Sequence, residues 1–114
     1  MSRKRLFIIL SIIILVGVVA IGLSIFFYFN QQKNQALETV DKYLSEKNLE
    51  DNIKSKETVY NSKEGAYMVE VVFLDEPENL YEFFPLDGTV YDIIAVDKDN
   101  VEITDKKKAK YIDY

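Results

Sequence analysis

Three stretches of this 114-residue chain hold residues whose types and spacing could do chemistry. Asp75, Glu76 and Glu78 cluster around Pro77. Their oxygens would suit a hard cation such as calcium. A solvated loop between two strands has the same composition, and that is the expected role. The run DKDNVE, residues 97–102, holds part of a calcium-loop spacing. It lacks the Gly at the sixth position and the Glu at the twelfth that such a loop requires, so no metal site is assigned. Lys106, Lys107, Lys108 and Lys110 form a basic cluster beside Tyr111 and Tyr114. Near an anionic membrane or wall polymer each Lys would contribute about 1 kcal/mol. The expected role is a mobile tail that keeps the chain soluble.

Catalysis has little to work with. The chain has no His, hence no side chain that titrates unperturbed near neutrality. It has no Cys, which removes disulfides, thiolate metal sites and a lipoprotein anchor. Ser45, Ser55, Ser62 and the threonines have no imidazole to activate them, and no motif points to a Ser–Lys pair. An enzyme is therefore not expected. No catalytic, cofactor-binding or metal residue is assigned, and no cofactor is expected. Tyr is frequent, with seven of eight beyond residue 29. Tyr gives large contact area at low entropy cost and suits recognition surfaces, but packing on strand faces is its commoner use.

The elements that would position these residues begin with a membrane span. Residues 6–29, LFIILSIIILVGVVAIGLSIFFYF, are 24 positions without a charge. Roughly 20 apolar residues cross a bilayer core of about 30 Å. Arg3, Lys4 and Arg5 precede the run, and Lys33 is the one cation soon after it. The positive-inside rule then keeps residues 1–5 in the cytoplasm and places residues 30–114 outside, a single-pass signal-anchor topology in the cell membrane. A cleaved signal peptide is the rival, with small residues at Val18-Val19-Ala20, but the apolar run continues nine residues further than an ordinary h-region. Ala20 and Ser24 form a small-xxx-small pair that could let two spans approach. The oligomeric state stays open. All nineteen acidic residues but only eleven of fourteen basic ones follow residue 29. Nucleic acid is therefore excluded as a partner.

Beyond the span, Ala36, Leu37, Val40, Tyr43 and Leu44 fall on one helical stripe, which predicts a juxtamembrane helix over 30–48 ending at a left-handed Asn48. Residues 49–105 read as a small antiparallel β domain. Residues 54–61 are a first strand and residues 62–65 (SKEG) a turn. Residues 66–75 are a strand with Tyr67, Val69, Val71 and Phe73 on one face. Residues 75–79 read as the next turn. Residues 80–86 and 89–96 flank Asp87-Gly88, a two-residue type I′ hairpin signal. That register faces Phe84 with Tyr91, Leu80 with Ala95 and Tyr81 with Ile94. Pro85 points to an edge or a bulge, and both hairpin faces are partly apolar. Residues 97–100 are a turn, residues 101–103 a last short strand, and residues 106–114 a basic, Tyr-bearing tail. A Val at Gly88 is expected to cost more than a Val at Gly65, whose loop is longer. The fold class is α+β, a helix on a sheet of three to five strands. With about 60 residues and no disulfide, its stability is expected to be modest.

The order of YLSEK, EDNIKSKE, YMVEVVFLDEP, YEFF and DG behind a basic-then-apolar N-terminus resembles small single-pass membrane proteins of Firmicutes carrying a domain of unknown function. The resemblance implies a Gram-positive cell-envelope location and carries no active-site residue. In layout alone the chain is also similar to PepSY-type regulatory modules. The expected role is a membrane-anchored extracytoplasmic interaction or regulatory module. Its partners are then the lipid bilayer through residues 6–29 and another membrane or envelope protein. The alternatives are an envelope immunity or stress protein acting on a membrane target, and a small Lys- or carboxylate-dependent hydrolase.

Overall fold

A computed structural model describes residues 2–112. Helix α1 (Arg3–Glu46) is 44 residues long. It contributes to two compact units, one ending at Gln31 and one beginning at Gln32. In the first unit every described side chain is exposed. The two serine hydroxyls of its apolar run are satisfied within the helix: Ser11 donates to the Phe7 carbonyl and Ser24 to the Ala20 carbonyl, both at 2.9 Å.

The second unit packs the last turns of α1 on a five-stranded antiparallel meander. Its strands are β1 (Ile53–Asn61), β2 (Ala66–Phe73), β3 (Glu76–Leu86), β4 (Thr89–Val96) and β5 (Glu102–Ile103), in spatial order β1-β2-β3-β4-β5. The expected helical stripe buries Ala36, Val40 and Leu44, with Leu37 and Tyr43 packed alongside. The facing sheet residues are Val69, Val71 and Phe73 on β2, Tyr81 and Phe83 on β3, and Ala95 on β4. The α+β class is as the sequence indicates, and Val69, Val71 and Phe73, which the sequence puts on one face of β2, are on the face that meets the helix.

Helix α1 stops where its sequence offers a residue tolerant of positive φ. Asn48 has φ 58°, its N–H reaches the Ser45 carbonyl, and the Leu49 N–H reaches the Leu44 carbonyl at 2.9 Å. These two bonds are the Schellman pattern, and they place Leu49 back in the core beside Leu44.

The Asp87-Gly88 turn has φ of 51° and 80°, as a type I′ hairpin requires. Leu86↔Thr89 and Pro85↔Val90 pair as expected. Beyond them the expected register fails. A bulge between Phe84 and Pro85 sets Phe84 opposite Asp92, Tyr81 opposite Ala95 and Leu80 opposite Val96. The extra residue is on β4, and every expected pair beyond it moves by one. The bulge falls at Pro85, which has no N–H to give to a ladder. β2 pairs with β3 only as far as Val69↔Phe83, so that missing donor costs no bond on the other side either.

The expected turn over residues 75–79 is also corrected. The reversal is tight, at Leu74-Asp75, and β3 already begins at Glu76. The pairing moves from Val71↔Tyr81 to Phe73↔Glu76, so three extra β3 residues are taken up as an irregularity around Pro77, Glu78 and Asn79. The turn-forming residues are absorbed inside the strand rather than between strands. Gly65 has φ 64°, so it is bound by the same left-handed geometry as Gly88, contrary to the expected difference between the two.

The C-terminal segment departs most from expectation. Ala109 is fully buried and Tyr111 is 4% exposed, both within the main core. The three lysines at 106–108 stay exposed, but the segment as a whole is a packed part of the unit.

Candidate functional site

Two features of the second unit bring separate segments together. The first is a polar clamp around the β2–β3 turn. Asn52 Nδ2 donates to Asp75 Oδ1 at 2.8 Å and to the Tyr111 hydroxyl at 2.6 Å, and that hydroxyl donates to Asp75 Oδ2 at 2.8 Å. Lys110 forms an ion pair with the same Asp75 oxygen, and its ammonium lies 5.0 Å from the centre of the Tyr111 ring. Glu76 Oε1 accepts from the Tyr81 hydroxyl and from Asn79 Nδ2, both at 2.7 Å, and Asn79 also donates to the Lys108 carbonyl at 2.8 Å. Beneath this layer Phe73, Tyr81 and Tyr111 form an aromatic triad.

The clamp sets its own ionisation. Burial works against the Asp75 charge, but hydrogen bonds from Lys110, Asn52 and Tyr111, with the Lys110 charge, outweigh it and hold the carboxyl at about 2. Burial raises the Tyr81 hydroxyl well above its ordinary value, and the adjacent Glu76 carboxylate raises it further. The Asp75 and Tyr111 bonds raise the Lys110 ammonium. Of the expected acidic loop, Asp75 and Glu76 are therefore engaged as acceptors for the C-terminal segment, and no polar side-chain atom of the described residues is left buried without a partner. The DKDNVE run is a local turn in which Asp97 Oδ1 accepts the Asp99 and Val101 N–H groups at 2.9 and 3.0 Å. Among the described residues no group of three or more acids could hold a metal ion.

The second feature is a groove of about 540 Å³ between the first turns of α1 in this unit and the tips of the two hairpins. Gln32, Gln35, Ala36, Glu38 and Thr39 form one wall, and Ala66, Tyr67, Pro85, Leu86, Asp87 and Gly88 the other. Thr39 spends its hydroxyl on the Gln35 carbonyl at 2.9 Å, so the wall offers no hydroxyl paired with a base. Two amides, one ring, apolar groups and the carboxylates of Glu38 and Asp87 line it, with no Ser, Cys or Lys among them. Sequence reasoning missed the groove because its two walls lie up to 56 positions apart and neither has a motif of its own.

The tyrosines divide by position. Tyr81 and Tyr111 are core residues, and Tyr43 packs edge-on to Phe83 at 5.7 Å. Tyr60 and Tyr91 are exposed at about half their area. Tyr60 lies against Tyr67 at 5.2 Å, and Tyr91 against Phe84 at 6.2 Å although the two are not register partners. On the outer sheet face Glu57, Glu70 and Glu82 stand in register across three strands. Burial raises the Glu70 and Glu82 carboxyls, and neighbouring acids raise them further: Glu82 and Glu57 act on Glu70, and Glu102 acts on Glu82.

Fold and site define a small α+β domain behind an apolar N-terminal helix. The chain belongs to the family described as "Protein of unknown function (DUF3139)", whose model matches residues 3–83. The match runs from the start of α1 to the middle of β3, so the clamp's Lys110 and Tyr111 lie beyond it. No curated protein and no solved structure matches the chain.

Proposed function

We propose that the protein is a single-pass membrane protein whose second unit is an extracytoplasmic interaction or regulatory module without catalytic activity. The observation that carries this reading is the length and exposure of the apolar part of α1. The helix is long and apolar enough to cross a membrane, and none of its apolar window is covered by the rest of the chain. An exposed apolar surface of that extent needs a nonaqueous environment. The cations at Arg3, Lys4 and Arg5 favour a cytoplasmic N-terminus. The resemblance to small Firmicute membrane proteins favours a Gram-positive envelope. Engagement of Asp75 and Glu76 in the clamp, and the absence of His and Cys, favour binding over catalysis.

The test is a dual reporter fused after Tyr114. Activity of an enzyme that works only outside the cytoplasm supports the orientation. Activity of a cytoplasmic reporter instead, or release of the fusion from the membrane by cleavage, overturns it.

A further inference from the structure

The groove of the second unit has two unlike walls, and each contributes one carboxylate. Glu38 stands on the helix wall, and Asp87 in the turn of the β3–β4 hairpin opposite. No Lys or Arg lines the groove. Several acids elsewhere in the unit are engaged by the chain's own donors: Asp41 by Lys56, Asp75 by Lys110 and Tyr111, and Glu76 by Tyr81. Among the described residues, neither the Glu38 nor the Asp87 carboxylate has a hydrogen bond or an ion pair. The unit as a whole holds nineteen acidic residues against eleven lysines, so nothing offsets the negative potential between the walls.

We propose that this groove is the docking site for a Lys- or Arg-bearing peptide segment of a partner protein. This rests on the interaction-module reading above and names the chemistry of the partner. The rest of the lining matches each part of such a segment. A long cationic side chain lays its apolar stem on apolar surface and keeps its charged head at polar groups. Ala36 and Leu86 offer that surface between the two carboxylates. The half-buried Tyr67 ring offers a π face to a cation. Gln32 and Gln35 carry amides, each able to donate to and accept from a peptide backbone. Most of the lining is exposed. A small molecule would stay largely in water there, whereas its pockets ordinarily enclose it. A length of chain laid across the surface fits the open form.

The test is fluorescence anisotropy of a fluorescein-labelled peptide of alternating Ala and Lys, titrated with the full chain in neutral detergent micelles. Glu38→Gln with Asp87→Asn removes both groove charges and leaves the helix and the turn intact, since Asn also tolerates the positive φ at position 87. Glu57→Gln with Glu78→Gln removes the same charge outside the groove. The groove pair is expected to weaken binding about tenfold, as loss of two exposed charge pairs implies. The outer pair should change it less than about twofold, because screening confines each charge to its surroundings. Equal weakening by the two pairs, or no binding of the Lys peptide, overturns the docking site. Displacement of the peptide by free lysine amide at matched lysine concentration also overturns it, in favour of a small cation. The reporter fused after Tyr114 reads the membrane topology independently, so either reading can fail while the other stands.

Discussion

The ring of Tyr111 lies over that of Phe73, with centroids 4.1 Å apart, although 38 positions separate them in the chain. The hydroxyl of the same Tyr111 reaches past the ring to Asp75. One side chain thus closes the core and fastens the C-terminal segment to the β2–β3 turn. Tyr111→Ala should cost about 3–5 kcal/mol, the range for deleting a buried ring. Tyr111→Phe keeps the stack and loses only the hydroxyl bonds, about 1–2 kcal/mol. Urea denaturation of fragment 32–114 measures both. A Tyr111→Ala midpoint equal to wild type would sink the clamp.

The helix and the C-terminal segment share one core with the sheet, so the folding unit is wider than the β-strands. Leu44 is 1% exposed among residues of β2 and β3. Leu44→Ala should cost about 2–5 kcal/mol. Fragment 49–105, which lacks both flanks, should show no cooperative thermal transition by circular dichroism.

Acid should act on stability in two opposite directions. Asp75 sits at about 2 when folded against an ordinary 3.8, so the folded state binds its proton less tightly. The stability it contributes is present above about pH 4 and is lost as pH falls toward 2. Glu70 and Glu82 are raised above their ordinary 4.5, so the folded state binds their protons more tightly. They make stability rise as pH falls from neutrality toward 4.5. The Tm of fragment 32–114 should climb and then drop across this range. Glu82→Gln should blunt the climb and add about 0.2–1 kcal/mol at neutral pH, since like charges directly across strands repel. Asp75→Asn should flatten the drop.

Both hairpin glycines have room for a side chain, with nothing within 4 Å of a built Cβ, so only their backbone angle resists substitution. At φ of 64° and 80° a β-branched residue is strained at either. Gly65→Val and Gly88→Val should each lower stability by about 1–2 kcal/mol, within about 0.5 kcal/mol of each other. Melting of the two variants side by side provides the measurement.

Local signals in the sequence translated directly into structure. The helical stripe, the alternation of Val69, Val71 and Phe73, and Asp87-Gly88 each act over fewer than ten positions, and each is present. Pro85 marked its bulge, but the consequence for every pair beyond it is a two-strand property that neither strand carries alone. The C-terminal segment was obscured by its charge. Four lysines among residues 106–110 dominate its composition, while the two residues that go inside, Ala109 and Tyr111, are too few to show a period. Their partners Asn52, Phe73 and Asp75 lie more than thirty positions away, where no pattern links them.

Strand β1 ends the sheet with nine residues and four consecutive exposed positions, Lys54, Ser55, Lys56 and Glu57. An open rim of this length could serve as a template for another molecule of the same kind. Antiparallel self-association with the fullest overlap pivots on Glu57 and sets it against its own copy. A pivot at Lys56 opposes that lysine with itself, and a pivot at Ser55 opposes Lys54 with Lys56. Each of these arrangements places like charges face to face, which is unfavourable. The order of charges along β1 therefore disfavours these three registers of self-pairing, with no proline in the strand.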